Sequence, residues 1–139
     1  MAGEAIELSW EGYEEIMQAL TRASQTQLLT LADFAGEELV NVSRQAFKDR
    51  ADPETGKKWK DKVDGSPATL VKSGSMFRNM IYEAFSDGSA IIGNPKIYSR
   101  AHNKGYPEGN LPARPFININ DGIIRNIMEQ PEVKEILAI

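Results

Sequence analysis

The side chains with the most chemical reach lie in one stretch, IYSRAHNKGYPEGNLPARPFI, spanning Ile97–Ile117. It holds the chain's only histidine, His102, and an arginine, Arg114, set between Pro112 and Pro115. A histidine acts as a general base when a nucleophile and an orienting carboxylate stand beside it. No nucleophile motif accompanies His102, and the chain contains no cysteine. A single histidine without thiolates is also a poor zinc site. Neither a phosphate-cradling P-loop nor a dinucleotide fingerprint is present, and the glycines of GYPEGN are spaced by proline and charge. The sequence therefore assigns no catalytic, cofactor-binding or metal-ligating residue. The expectation is a protein that is not an enzyme.

Binding chemistry is a stronger candidate. Residues 44–62 carry seven positive and four negative side chains, and Lys57, Lys58, Lys60 and Lys62 surround Trp59. Lysines with an interleaved aromatic ring can hold a phosphate backbone and stack a base. Against this, Asp49, Asp52, Glu54 and Asp61 interrupt the run, and the whole chain is acidic with a pI near 5.1. A nucleic-acid-binding accessory protein using loop 44–62 is the alternative reading, with Lys57, Lys58, Lys60 and Lys62 as the DNA-proximal residues. Residues 1–41 hold one positive and eight negative groups, a net −7. An acidic end and a basic middle also suit two complementary faces of a self-assembling subunit.

The elements that must position these residues follow from periodicity. Alternation over Ala5–Trp10 predicts a short strand. Tyr13, Ile16, Met17 and Leu20 then take helical spacing, and a second helix runs from about Thr26 to Arg50 on Leu28, Leu31, Ala32, Ala35, Leu39, Val42 and Ala46. Turn formers and charges over 51–67 predict an exposed loop. Trp59 inside it either folds back onto its own domain or anchors a partner. A helical turn around Leu70–Phe77 follows.

Two apolar runs flank Asp87-Gly88, which predicts a hairpin with a two-residue type I′ turn, Ala84 opposite Ile91 and Phe85 opposite Ala90. Both hairpin faces then carry apolar residues, and the second face needs another strand or another subunit. Pro115–Asn120 reads as a further short strand. Asn120 or Asp121 caps a final helix, which Pro131 restarts. Helices enclosing a mainly antiparallel sheet make an α+β domain. The expectation is a single domain over residues 1–139. No apolar run approaches the ~20 residues that span a bilayer, MAGEAIELSW lacks the features of a secretion signal, and the absence of cysteine fits a reducing compartment. A cytosolic protein with no membrane partner is expected.

Four stretches, taken in order, carry a resemblance: DPETGKKW (Asp52–Trp59), LVKSGSMFRNMIYE (Leu70–Glu83), IIGNPKIYSRAHNKG (Ile91–Gly105) and LPARPFI (Leu111–Ile117). Together they resemble the phage virion morphogenesis, or tail completion, proteins of contractile-tailed phages and prophages, over about residues 45–130. Ser99 stands where that family usually has alanine, and the loop Tyr106–Asn110 is this chain's own. The resemblance implies a structural role: completing the tail or joining it to the head as a ring-forming homo-oligomer. Tail-tube or head-connector proteins would be its partners, with DNA passing close by. It implies assembly in the bacterial host cytoplasm, then residence in the virion at the head–tail junction or tail end. Trp59, Tyr98, His102, Arg114 and Phe116 become interface or loop-anchoring candidates. Tyr98 and His102 share a face if Ile97–His102 is a helical turn. Pro112 and Pro115 hold Leu111 and Arg114 extended.

Overall fold

The computed structural model describes residues 12–60, 78–95, 103–105, 113–117 and 119–139. The expected strand at Ala5–Trp10 and the helical turn at Leu70–Phe77 lie outside the described residues. Within them the order is α1 (Tyr13–Arg22), α2 (Gln25–Asp49), β1 (Ile81–Ala84), β2 (Ala90–Gly93), α3 (Asp121–Met128) and α4 (Pro131–Leu137). Four helices and a two-stranded antiparallel hairpin make the chain α+β.

Local sequence explains the helix ends. Ser24 and Gln27 form a reciprocal capping box at the start of α2: the Gln27 N–H donates to Ser24 Oγ at 3.1 Å, and the Ser24 N–H donates to Gln27 Oε1 at 2.9 Å. Asn120, not Asp121, caps α3, its Oδ1 accepting from the Ile123 N–H at 2.8 Å. Pro131 stands at the start of α4, where its missing N–H has no bond to lose.

The described residues divide into two compact units. Unit one holds 12–38, 83–91 and 119–139; unit two holds 39–60, 78–82, 92–95, 103–105 and 113–117. In unit one, Ile16 and Ala19 of α1, Leu31 of α2, and Val133 and Leu137 of α4 form one buried cluster. The ion pair Lys134–Glu15 at 3.0 Å joins α4 to α1 over it. Gln130 Nε2 donates to Glu38 Oε1 at 2.7 Å, tying the α3–α4 junction to α2. In unit two, Val40, Ala46, Phe47, Trp59, Met80 and Phe116 form a second cluster, with Tyr82, Ile92 and Ile117 against it.

The hairpin departs from the expected register. The Phe85 N–H donates to the Ser89 carbonyl at 2.9 Å, and the Gly88 N–H donates to the Phe85 carbonyl at 3.0 Å. The loop therefore has three residues, Ser86 to Gly88, with Gly88 in the left-handed region at φ 94°. This pairs Ala84 with Ala90 and Glu83 with Ile91, one residue away from the pairing the two-residue turn would impose. Burial follows that register. Tyr82, Ala84, Ala90 and Ile92 are half-buried, while Ile81 and Ile91 are 54% and 62% exposed on either side of exposed Glu83.

Candidate functional site

The site is built in unit two, where α2 ends. Arg50 adopts the left-handed conformation at φ 53°, and the next N–H, of Ala51, reaches back to the Ala46 carbonyl at 3.2 Å. That is a Schellman-type stop, which leaves the last carbonyls of the helix bonded. Lys58 Nζ adds a bond to the Asp49 carbonyl at 2.9 Å, a cation at the negative end of the helix.

The chain then doubles back on itself. Ala51 and Lys58 form an antiparallel bridge, the Asp52 N–H donates to the Lys57 carbonyl at 2.9 Å, and the Trp59 N–H donates to the Arg50 carbonyl at 2.7 Å. Asp52 Oδ1 accepts from the Glu54 N–H at 2.7 Å, and Gly56 supplies the positive φ that closes the turn. Residues 51–60 are thus an ordered turn with buried ends, Ala51 and Trp59, and an exposed tip from Glu54 to Lys58. Residues 61–67 lie outside the described residues.

Trp59 is only 6% exposed and Phe116 is fully buried. The Trp59 ring meets Phe47 edge-on, with centroids 6.0 Å apart at 85°, and Phe47 lies 4.9 Å from Phe116. Such edge and tilted contacts suit the quadrupoles of aromatic rings. The indole Nε1–H donates to the Pro115 carbonyl at 2.8 Å. In return, Arg114, 7% exposed, donates from Nε to the Lys60 carbonyl at 3.0 Å. Two segments more than fifty residues apart in sequence thus exchange one hydrogen bond in each direction. We call this reciprocal pair the clasp.

Asn103 completes it. Its Oδ1 accepts from both the Phe116 and Ile117 N–H groups, each at 2.9 Å. This corrects the strand expected over Pro115–Asn120: described residues there are irregular, because a side-chain carbonyl takes the amides a strand partner would need.

Of the residues singled out in the sequence, Trp59, Arg114 and Phe116 are brought together in the interior of unit two. Lys57, Lys58 and Lys60 are exposed on the turn beside them. Tyr98, His102 and Lys62 lie outside the described residues. Sequence reasoning missed Val40, Phe47, Met80 and Asn103; of the α2 stripe, Leu39 and Val42 are half-buried while Val40 is buried. Phe47 was legible as the neighbour of Ala46 at the end of the α2 stripe. Asn103 left no trace, since a lone side-chain acceptor has no period.

An open cleft of about 310 Å³ lies between the last turns of α2 and the ordered turn, bordered by Gln45, Asp49, Asp52 and Lys58. Its polar groups are engaged internally: Gln45 Nε2 donates to Asp49 Oδ1 at 2.9 Å, and Lys58 holds the helix end. Among the described residues no group of three or more His, Cys, Asp or Glu side chains is placed to hold a metal ion. No described helix is long and apolar enough to cross a membrane. What the arrangement does is hold a cationic turn in one shape.

Comparison with known proteins gives this turn its setting. The phage virion morphogenesis family matches residues 8–132, a span that contains the turn, the clasp and the hairpin. A protein of Escherichia phage Mu named "Putative capsid assembly protein G" is 32% identical over 99 residues, covering 59% of this chain and 63% of the Mu protein. The chain therefore spans less than two thirds of that relative's length. No solved structure matches it. Trp59, Lys60, Arg114 and Pro115, which make the clasp, all fall inside a match covering most of the sequence, and the chain belongs to the phage virion morphogenesis family.

Proposed function

We propose that this is a structural morphogenesis protein that completes the phage tail or joins it to the head, working as a ring-forming oligomer. The observation that carries the proposal is the family match over residues 8–132. The clasp supports it, because Trp59 and Arg114 hydrogen-bond to backbone carbonyls and Phe116 packs in the core beside them, which is an anchoring arrangement. In this role the three are loop anchors, and Tyr98 and His102 are contact residues. The partners are further copies of the chain and tail-tube or head-connector proteins. Assembly takes place in the bacterial host cytoplasm, and the protein ends at the head–tail junction or the tail end as a single morphogenesis domain.

The name of the Mu relative supports a second reading, a role in building the head. Electron microscopy of a lysate from a phage or prophage lacking only this gene separates the two. Full heads beside unattached or abnormal tails support the tail-end role. Aberrant heads with normal tails move the role to the capsid. Normal infectious particles refute both.

A further inference from the structure

The division into units sorts the charge far more sharply than the linear sequence does. Among the described residues, unit one holds eleven acidic and three basic side chains, a net −8. Unit two holds three acidic and nine basic side chains, a net +6. The two units are therefore strongly opposite in net charge, although Arg114 in the basic one is buried and Arg44 half-buried. The basic one has a fixed centre. Arg50, Lys57, Lys58 and Lys60 are exposed on the ordered turn with Glu54, and Asp52 is half-buried, so residues 50–60 sum to +2; the backbone is pinned by the Ala51–Lys58 bridge, the Trp59–Arg50 bond and the clasp. A turn already held in shape loses little conformational freedom on docking. The acidic surface includes α1 and α4, which pack together and carry Glu14, Glu132 and Glu135 exposed.

We infer that the cationic turn of unit two is a docking surface for the acidic helices of unit one on a second copy, so that copies associate head to tail. Charge complementarity within the one sequence names the occupant. A second copy supplies the anionic surface for the turn, and its own turn is left for a third copy. A symmetric contact of either surface with itself would set like charge against like charge. Phosphate backbone also attracts the turn but leaves the −8 unit without a partner, whereas a row of copies complements both units. A contact in which each surface meets the other, not itself, repeats from copy to copy and closes into a ring if the rotation allows. The inference rests on the assembly role proposed above for its setting and names the contact that role uses. Pairs of exposed ions are individually weak and screened by salt, so the association is salt-sensitive.

The test uses the full chain in sedimentation velocity. At about 25 mM salt the natural chain sediments as associated species, and at about 500 mM, where the screening length is a few ångströms, it dissociates. Lys57→Glu with Lys60→Glu removes one surface; Glu14→Gln, Glu132→Gln and Glu135→Gln together neutralise the other. Each variant alone stays monomeric. An equimolar mixture forms a 1:1 complex and nothing larger, because one intact surface of each kind remains. A natural chain that stays monomeric at low salt overturns the inference, and this holds even if a variant misfolds. So does a mixture that fails to pair although both variants keep natural circular dichroism. Tight binding of duplex DNA by a chain that does not self-associate overturns it in favour of a nucleic-acid partner. Pairing in the mixture alongside normal particles in the deletion lysate would leave the contact standing and refute the role. The reverse pattern would refute the contact alone.

Discussion

Trp59→Phe keeps an aromatic ring in the interior of unit two but removes the indole N–H that reaches the Pro115 carbonyl at 2.8 Å. The bond is part-buried, so leaving that carbonyl without its donor costs about 1 kcal/mol, the low end for a buried group. The smaller ring adds a packing loss, and the total stays below the ~3–5 kcal/mol expected of Trp59→Ala. Arg114→Met keeps an unbranched stem and removes the Nε donor to the Lys60 carbonyl at 3.0 Å; this bond is part-buried and Lys60 is exposed, so the loss is about 1 kcal/mol. The two bonds join the same pair of segments. Breaking either lets the segments part, so the second bond has less left to lose. In urea denaturation followed by circular dichroism, the double variant should fall short of the summed losses by about 0.5 kcal/mol or more, as members of one network do. Losses that add to within about 0.3 kcal/mol would show two independent anchors and refute the clasp as a unit. A changed denaturant slope would signal an altered unfolded or native ensemble, so the comparison is made at constant slope.

Three smaller effects follow from the local geometry. Ser24→Ala breaks the capping box of α2 and lowers stability by about 1 kcal/mol, read as a fall in Tm, with Ser24→Thr restoring most of it. Gly88→Ala forces a side chain into a left-handed position and sets its Cβ 3.4 Å from Leu28 Cδ2, lowering stability by about 1–2 kcal/mol in the same assay. Asp87 accepts from the hydroxyl of Ser89 at 2.6 Å and from its N–H at 2.9 Å, and these bonds hold its carboxyl below the ordinary aspartate value. A depressed folded pKa means the stabilisation is present above the unfolded value and is lost as pH falls through the folded one. A carbon-detected NMR titration should place Asp87 below free aspartate, and Ser89→Ala should move it up.

Much of the architecture was legible because it is written in periods. The α2 stripe from Leu28 to Ala46 repeats over about five turns, and α2 ends within one residue of each expected boundary, Gln25 and Asp49 against Thr26 and Arg50. The break at Pro131 was legible because proline has one favourable place in a helix. Single side-chain contacts leave no such record. Asn103 looks like any loop asparagine until its carbonyl is seen bonded to two successive amides. The turn 51–60 likewise reads as loose because its residues are polar, yet local bonds close it and its end is fixed by a distant partner, Pro115, which no local window contains. Charge segregation is hidden for a related reason. The −8 and +6 emerge only when pieces from both ends and from the hairpin tip are grouped by contact.

The hairpin loop shows how one dipeptide supports two registers that differ in what they expose. A type I′ turn over Asp87-Gly88 needs positive φ at both residues. Among the described residues the non-glycine positions with positive φ are Arg50 and Ala138, so Asp87 is not in that state. Ser86 and Asp87 fill the turn without strain, and Gly88 alone takes the left-handed step. The resulting pairing sets Ile91 on the face of Glu83 and Ile81, not on that of Tyr82. Deleting Ser86 isolates the cause. Phe85 would still oppose Ser89, but Asp87 would have to adopt positive φ, a loss of about 1 kcal/mol. Cross-strand NOEs between Ala84 and Ala90 should therefore persist in both the natural chain and the deletion, with the deletion less stable. NOEs pairing Phe85 with Ala90 in the natural chain would refute the three-residue loop and return Ile91 to the half-buried face.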